Sequence, residues 1–484
     1  MSMPGTTSSG DASKKPGSFI IENRTFDELK VGDSVSLSRT LTKEDIELFA
    51  VMSGDVNPVH VDEAFARDDM FHKIIAHGMW GATLISTLLG TELPGPGTIY
   101  LSQTLTFRHP IGIGDTVVVS VTVRKKSAAK RNVILDCRVV NQGGKIVMEG
   151  VADVIAPEEK IARPRVRLPE VRLEEPGHRH RELIAKTEGR DPIRMAVVNP
   201  TDHLSLAGAV EAARAKLIVP ILVGPPDAIQ AAAKAGDIDI SGYEIVSATD
   251  AEAAATRAVD LVLAGSADAI MKGALHTDVL MHAVVAGDHN LRTDRRVSHV
   301  FVMDVPTYPR PLLITDAAIN IYPDLEAKRD IVQNAIELAQ ALGIERPKVA
   351  ILSAVETVTP KIKSTLDAAA LCKMADRGQI TGGILDGPLA FDNAVSADAA
   401  KTKHIVSPVA GQADILLVPD LEAGNMLAKQ LEYLADADGA GIVLGARVPI
   451  ILTSRADKTL SRMASCAVAL LFAHHRSQSR LSIK

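Results

Sequence analysis

The chain has 484 residues, of which 46% are hydrophobic and 23% charged, and its formal net charge is −6. This length exceeds what one hydrophobic core usually serves and predicts about two to four domains. The acidic balance and an aromatic content of 3% argue against a nucleic-acid surface, which needs clustered basic residues and stacking platforms. Three widely spaced cysteines predict reduced thiols, and no apolar run suits a membrane helix or a signal peptide, so we expect a cytoplasmic protein.

Residues 1–17, rich in Ser, Gly, Thr and Lys, predict a disordered tail, and a first domain is expected over residues 18–156. Within this domain, Thr42 and Asp45 have the spacing of a capping box at the start of a helix. A second segment, residues 76–90, is apolar nearly all round, which predicts a helix buried inside the domain.

Segments rich in Val, Ile and Thr follow this apolar helix, separated by turn residues. One buried helix followed by hairpin-linked strands predicts an antiparallel sheet wrapped around that helix, which is the α+β hot-dog architecture. The predicted strands cover residues 98–109, 115–124, 131–141 and 145–155.

The candidate chemistry of this half lies between the two predicted helices, in the sequence Ser-Gly-Asp-Val-Asn-Pro-Val-His at residues 53–60. Asp55 and His60 are five residues apart on a segment that glycine and proline keep out of regular helix. Such a pair can activate water and return a proton near neutral pH. The N-terminus of the helix predicted over residues 76–90 is a natural place to hold a developing oxyanion.

Two further motifs accompany this one: Ala-His-Gly-Met at residues 76–79 and Leu-Pro-Gly-x-Gly-x-Ile-Tyr-Leu at residues 93–101. Together the motifs resemble the MaoC-type, R-specific enoyl-CoA hydratases of the hot-dog fold, over nearly the whole of residues 18–156. The resemblance implies hydration of a trans-2-enoyl-CoA to the (R)-3-hydroxyacyl-CoA.

The same resemblance implies a role for each matching residue. Asp55 and His60 would hold the water that adds across the double bond. The backbone N–H of Gly78 would bind the thioester oxygen, Asn57 would support the loop, and Ser86 would lie beside the acyl pocket. A catalytically silent hot-dog module kept for dimerisation is the alternative. His77 and Trp80 are predicted to be structural, His77 as the cap of its helix and Trp80 as a core residue.

Residues 157–190 are crowded with Arg and Glu and interrupted by prolines, so they predict a semi-rigid linker. Its arginines between residues 163 and 172 are expected to be a solvated tether, with a phosphate-binding patch as the alternative.

From residue 191 to residue 484 the pattern changes to apolar strands alternating with Ala-rich helices. This pattern predicts a largely parallel, doubly wound α/β domain of two lobes with a cleft between them. No Walker A or Gly-x-Gly-x-x-Gly fingerprint is present, which disfavours an NAD-dependent dehydrogenase. The predicted strands cover residues 195–198, 219–223, 269–271, 312–315, 349–352, 415–418, 441–444 and 449–452.

A second set of ordered motifs covers this half. The motifs resemble the phosphate acetyl/butyryltransferase family, and the resemblance implies exchange of an acyl group between CoA and inorganic phosphate. They occupy residues 319–323 (Ile-Asn-Ile-x-Pro), 386–392 (Asp-Gly-Pro-Leu-x-Phe-Asp), 407–411 (Ser-Pro-Val-Ala-Gly), 419–425 (Pro-Asp-Leu-x-Ala-Gly-Asn) and 454–455 (Ser-Arg).

Arg455 is the predicted phosphate clamp and Ser454 the predicted transition-state donor, because a guanidinium binds phosphate through two bonds and a hydroxyl can donate to the growing charge. Lys272 and Asn425 are weaker candidates for phosphate or CoA binding, and an ordinary strand-end lysine is the alternative for Lys272. Where the family has a thiol-deprotonating Asp, this chain has Ser461. Asp457 is the nearest acid.

The sequence therefore predicts a bifunctional cytoplasmic enzyme that acts on acyl-CoA substrates, with no tightly bound cofactor and no metal. We expect a homo-oligomer, a dimer or larger, that binds neither nucleic acid nor membrane. The rival prediction is a CoA-sensing or scaffolding protein in which one half is catalytically silent.

Overall fold

The computed structural model describes residues 20–166, 168, 171, 173, 177–287, 290–452 and 458–481. The predicted tail, residues 1–17, lies outside the described residues. The chain divides into two compact units, Met1–Leu173 and Glu174–Lys484. The cores of the two units share no residues.

The first unit is an antiparallel sheet with helices packed on it, as predicted. Its five-stranded sheet has the order β2-β4-β5-β6-β3, and β1 pairs with β7 in a separate ribbon. Strands β1, β2 and β7 were not predicted. In chain order the elements are β1 Ile20–Glu22, β2 Ser34–Thr40, α1 Lys43–Ser53, α2 Pro58–Val61, α3 Glu63–Asp68, α4 Gly78–Thr91, β3 Ile99–Phe107, β4 Thr116–Ser127, β5 Asn132–Asn141, β6 Ile146–Ile155 and β7 Ala162–Pro164.

Local sequence explains the two helices that frame the candidate site. Thr42 and Asp45 form the predicted capping box at the start of α1, and Gly54 ends the helix in the left-handed conformation at φ 76°. Helix α4 buries Trp80 and Leu88 in the core, against the alternate valines that β4 directs inward. This packing fixes the N-terminus of α4 relative to the sheet.

The second unit is built on one eleven-stranded sheet. In chain order its elements are α5 His178–Ala185, β8 Ile193–Val198, α6 His203–Arg214, β9 Ile218–Gly224, α7 Pro226–Ala235, β10 Glu244–Ser247, α8 Ala251–Leu263, β11 Ala269–Lys272, α9 Thr277–Val285, β12 Ser298–Asp304, β13 Leu312–Thr315, α10 Leu325–Ala341, β14 Lys348–Leu352, α11 Lys363–Asp376, β15 Ile384–Leu389, α12 Phe391–Val395, α13 Ala397–Thr402, β16 Ile415–Leu417, α14 Leu421–Leu434, β17 Asp438–Leu444, β18 Ile450–Ile451 and α15 Thr459–Leu481.

The strand order is β10-β9-β8-β11-β18-β17-β12-β13-β16-β14-β15. Strands β10, β9, β8, β11 and β18 form a first parallel group, and β13, β16, β14 and β15 form a second. Antiparallel β17 and β12 join the groups, so the two groups run in opposite directions. The mainly parallel α/β architecture is confirmed, and its two predicted halves share one continuous sheet.

Two of the motifs of the transferase half lie inside regular elements. Residues 386–388 belong to β15, where a Cβ on Gly387 would lie 2.8 Å from the Cβ of Ile351, so glycine permits the close approach of β14. Residues 421–425 begin α14, and Asp420 is the N-cap residue whose side chain accepts a bond from the backbone N–H of Ala423.

The linker between the units is shorter than predicted at both ends. Strand β7 pairs with β1, so residues 162–164 belong to the first unit. Helix α5 belongs to the second unit, where the guanidinium of Arg179 is 2.5 Å from the carboxylate of Asp304 in β12. The prolines and charged residues suggested a longer linker. Such residues also occur at the ends of ordered elements, so their presence did not mark the linker boundaries.

All three cysteines are free thiols, as predicted. Burial raises the pKa of Cys137 to about 11 and the pKa values of Cys372 and Cys466 to about 12. Across the described ranges, no helix has the length and apolar character that crossing a bilayer requires.

Candidate functional site

The loop between α1 and α2 holds Asp55. The backbone N–H of Asp55 donates to Ser53 Oγ at 3.2 Å, and the backbone N–H of Asn57 donates to Asp55 Oδ1 at 3.2 Å. Asn57 is also the N-cap residue of α2. The backbone of Asn57 thus contacts the carboxylate and its side chain caps the helix that follows, and its supporting role in catalysis stays a prediction.

Helix α2 places the ring of His60 beside this loop. His60 Nδ1 lies 2.9 Å from the carbonyl oxygen of Ile75. Because a carbonyl oxygen can only accept, Nδ1 carries the hydrogen and Nε2 keeps its lone pair. The half-buried ring is thus in the tautomer that can take a proton through Nε2.

Asp55, His60 and His77 form one cluster, in which one donor atom from each residue lies within 4.8 Å of the others. The rings of His60 and His77 stack with centroids 4.0 Å apart. The structure therefore brings the predicted acid and base together.

His77 departs from its predicted role. Its side chain makes no capping bond to α4, and its Nε2 instead lies 2.9 Å from the backbone oxygen of Asp55. Sequence reasoning missed this contact because its acceptor is a backbone atom 22 residues earlier in the chain. The one sequence feature that could have indicated a role for His77 in the site was its position directly before Gly78.

A cavity of about 290 Å³ opens beside the two histidine rings. Gly78, the first residue of α4, lines this cavity, and its N–H is among the helix donors that have no acceptor within the helix. The cavity is mostly apolar, as a thioester or acyl group requires, and it is lined by His60, Phe71, Ile75, Ala76, His77, Gly78, Phe107, Arg108, His109, Pro110, Ile111, Val147 and Met148.

Ser86 does not line this cavity. It is exposed on α4, and the eight-residue separation places it about 12 Å along the helix axis from Gly78. Its predicted place beside the acyl pocket stays a prediction.

In the second unit, residues 453–457 lie outside the described residues, and with them Ser454, Arg455 and Asp457. The described chain approaches this segment through β18, where Ile451 pairs with Met271 of β11. Lys272 is the next residue of β11, so it lies at the edge of the sheet from which the chain leaves β18. A common site for Lys272 and the Ser-Arg pair stays a prediction.

The turn after Lys272 is tightly packed. A Cβ on Gly273 would lie 2.4 Å from the carbonyl oxygen of Val198, so only glycine fits between β8 and this turn. Lys272 Nζ lies 3.2 Å from the carbonyl oxygen of Leu275. The ammonium is thereby held at the carboxyl end of the first parallel group, where ligands of open α/β sheets bind.

Asn425 follows β16 and lies at the carboxyl end of the second parallel group. Its side-chain amide donates to the carbonyl oxygen of Ala317 at 3.3 Å. Because the two groups run in opposite directions, Asn425 and Lys272 follow strands that end at opposite edges of the sheet. The structure does not bring these two candidates together.

Sequence reasoning missed a buried carboxylate beside Asn425. Asp316 is 2% exposed and accepts hydrogen bonds from the backbone N–H groups of Ala318 and Ile319 and from the amide of Asn320. Burial raises the pKa of Asp316, although these bonds act in the opposite direction. The motif at residues 319–323 marked this loop without identifying the acid.

Ser461, at the position where the resemblance expects an acid, is 5% exposed in α15. This position therefore offers no exposed base, and Asp457 remains the candidate for that role.

Comparison with known proteins assigns both units. A phosphate acetyl/butyryl transferase family model matches residues 250–470, and a MaoC like domain model matches residues 29–141. The phosphate acetyltransferase of Rhizobium meliloti is 60% identical over 300 residues, which is 62% of this chain and 95% of the relative. The phosphate butyryltransferase of Clostridium acetobutylicum is 42% identical over 295 residues, 61% of this chain and 98% of the relative.

A solved structure resembles the second unit as well. A branched-chain phosphotransacylase from Enterococcus faecalis is 31% identical with a TM-score of 0.52, and the match covers 58% of this chain and 99% of that one. An R-hydratase from Pseudomonas aeruginosa is 43% identical with a TM-score of 0.31, over 32% of this chain and 99% of that one. The chain belongs to the phosphate acetyl/butyryltransferase family and carries a MaoC-like domain before its transferase domain.

Proposed function

We propose that the protein is a bifunctional enzyme of acyl-CoA substrates. The first unit hydrates trans-2-enoyl-CoA to (R)-3-hydroxyacyl-CoA, and the second exchanges an acetyl or butyryl group between CoA and phosphate. The observation that carries the hydratase proposal is the cluster of Asp55 and His60 beside a cavity lined by Gly78. The transferase proposal rests on the two curated relatives and on the family model.

The hydratase reaction follows from the tautomer of His60. A water held between the Asp55 carboxylate and His60 Nε2 gives a proton to this acid–base pair while its oxygen bonds to C3 of the enoyl group. The negative charge that forms on the thioester oxygen is stabilised by the N–H of Gly78 and the positive end of α4. The pair then returns the proton to C2, so the elements of water add and the enzyme is regenerated.

In the transferase reaction, a phosphate oxygen attacks the thioester carbonyl carbon, the C–S bond breaks, and CoA leaves as the thiolate or thiol. Arg455 would hold the phosphate, Ser454 would donate to the carbonyl oxygen, and Lys272 would add positive charge. Asp457 would exchange the proton of the CoA thiol. Neither reaction needs a bound cofactor, since CoA thioesters and phosphate are the substrates.

A homo-oligomer accounts for the apolar surface of the first unit. Strand β3 is an edge strand of its sheet, and Ile99, Leu101 and Phe107 on it are exposed, as is Met79 of α4. An unpaired apolar edge is a template for pairing with a second copy. We expect Leu101→Lys to convert the dimer of the isolated unit into a monomer in light scattering, and an unchanged mass would contradict pairing through β3. The free thiols suit a cytoplasmic location.

Two substitutions test the bifunctional proposal. Asp55→Asn should abolish hydration of crotonyl-CoA and spare acyl transfer, and Arg455→Ala should do the reverse. Hydration is followed by loss of enoyl absorbance, and transfer by release of CoA thiol in the presence of phosphate. Loss of both activities in either variant would contradict independent sites. CoA binding without thiol release would favour a sensor.

A further inference from the structure

His77 contacts each part of the proposed hydratase site. Its Nε2 donates to the backbone oxygen of Asp55 at 2.9 Å, and its ring stacks on His60 with centroids 4.0 Å apart. The ring of Phe49 lies on it as well, with centroids 4.8 Å apart. The next residue in the chain is Gly78. One side chain thus links the acid, the base and the proposed oxyanion donor.

The hydrogen-bond pattern of His77 is poorly suited to a purely structural role. The side chain belongs to a residue that is 2% exposed, and its Nδ1 is buried without a hydrogen-bond partner. A buried polar atom without a partner destabilises the fold, and an apolar side chain would avoid that cost. The bond from Nε2 to Asp55 is therefore the specific contribution of histidine at this position.

We propose that His77 is a positioning residue of the hydratase site. It acts through Asp55 and His60, whose separation it fixes, and it need not touch the substrate. The hydrogen bond from His77 to the backbone of Asp55 fixes the position of the loop that carries the Asp55 carboxylate. The ring of His77 packs on the ring of His60 and fixes its orientation. His60 Nε2 and the carboxylate therefore face the same water. This inference rests on the proposed hydratase activity.

Two substitutions separate the effect of the hydrogen bond from His77 to Asp55 from the effect of the ring contact between His77 and His60. His77→Gln keeps an N–H donor at the distance of Nε2 and removes the aromatic ring. His77→Phe keeps the ring between Phe49 and His60 and removes the donor. If the bond to Asp55 positions the acid, His77→Phe lowers kcat by about 10²-fold, the usual effect of misplacing a catalytic group by about 1 Å. The KM for crotonyl-CoA changes little, because the apolar residues that line the rest of the cavity are unchanged. His77→Gln recovers most of the lost kcat.

The control is Val133→Ala, which shortens a fully buried core side chain of β5 that does not line the cavity. It should lower the melting temperature of the first unit and leave kcat unchanged. The circular dichroism spectrum and melting temperature of each full-length variant report whether the first unit is folded, and acyl transfer by the second unit measures only the amount of enzyme.

The outcomes are distinct. A His77→Phe variant with wild-type kcat would overturn the positioning role, as would equal losses of kcat in the His77→Phe, His77→Gln and Val133→Ala variants. A wild-type protein that hydrates no enoyl-CoA would overturn the proposed function as well. Loss of kcat in His77→Phe, recovery of kcat in His77→Gln and an unchanged kcat in Val133→Ala would support the inference.

Discussion

Lys328 Nζ donates a hydrogen bond to Asp367 Oδ2 at 2.8 Å, and both residues are buried between α10 and α11. Lys328→Met leaves the buried carboxylate of Asp367 with only the exposed Lys363 as its ionic partner, so we expect the free energy of unfolding of the second unit to fall by up to about 3 kcal/mol. Guanidinium titration of residues 174–484, followed by circular dichroism, measures this loss.

The chain offers a matched control for this pair. Lys363 donates to the same oxygen of Asp367 at 2.9 Å, but its side chain is 72% exposed. Solvent screens exposed pairs, so Lys363→Met should cost less than about 1 kcal/mol. Equal losses of unfolding free energy in Lys328→Met and Lys363→Met would contradict the expectation that the buried ion pair contributes more to stability than the exposed one. Burial raises the pKa of Asp367, but the bonds from both lysines outweigh it, and the pKa is lowered overall.

A substitution at Gly150 of β6 tests how closely the edge strand β3 packs against β6 in the first unit. A Cβ at this position would lie 1.8 Å from the carbonyl oxygen of Thr104 in β3. Gly150→Ala must therefore displace β3, and overpacking of this kind costs about 1–3 kcal/mol. Thermal unfolding of the isolated first unit measures the effect.

Gly143→Ala is the control for this substitution. The nearest atom to its new Cβ would be 3.4 Å away, an ordinary contact in a surface turn. Its stability should change by no more than about 0.5 kcal/mol. A Gly150→Ala variant as stable as Gly143→Ala would contradict the close approach of β3 and β6.

His299 links the stability of the second unit to pH. Burial lowers the pKa of His299 from 6.5 to about 3. Below pH 6.5 the unfolded chain binds a proton that the native state excludes, so stability is present above this pH and is lost as pH falls toward about 3. The slope approaches about 1.4 kcal/mol per pH unit.

Replacing His299 with leucine removes this linkage, so the variant's free energy of unfolding should fall less steeply with acid. Denaturant titrations of residues 174–484 at about pH 7, 6 and 5 compare the slopes. His180, whose pKa burial also lowers, contributes equally to both proteins and cancels in the comparison. Identical slopes would contradict a neutral buried ring at residue 299.

Each unit should work alone. The units have separate cores, and the R. meliloti relative aligns over 95% of its length to 300 residues of this chain. Residues 1–173 should therefore hydrate crotonyl-CoA, and residues 174–484 should release CoA with phosphate, each with the kcat of the full chain. A large loss of kcat in a folded, separated unit would show that one half depends on the other.

Short-range patterns predicted the parts of the fold that depend on neighbouring residues. The capping box at Thr42 and the left-handed Gly54 defined α1, since both act within one helix. Alternating valines defined β4 because one face of a sheet is buried. The Asp55–His60 pair was found for the same reason, since its spacing and loop residues lie within one motif.

Contacts between distant segments were not predictable in this way. Strand β12 pairs with β17, more than a hundred residues later, and no local pattern specifies that partner or the reversal of strand direction it produces. The role of His77 likewise depends on a backbone oxygen in another segment. Asp316 went unrecognised because its burial comes from tertiary packing and from the loop that folds around its carboxylate.

The antiparallel strands β17 and β12, which join the two parallel groups of the large sheet, affect how that sheet can form during synthesis of the chain. When the ribosome has delivered residue 434, the chain holds every strand of both parallel groups except β18, yet β11 and β12 do not pair with each other. The two partial sheets become one continuous sheet only when β17 and β18 have been synthesised and pair between β11 and β12. Translation that stops within β17 would release a polypeptide with two open edges, the kind of surface that drives aggregation.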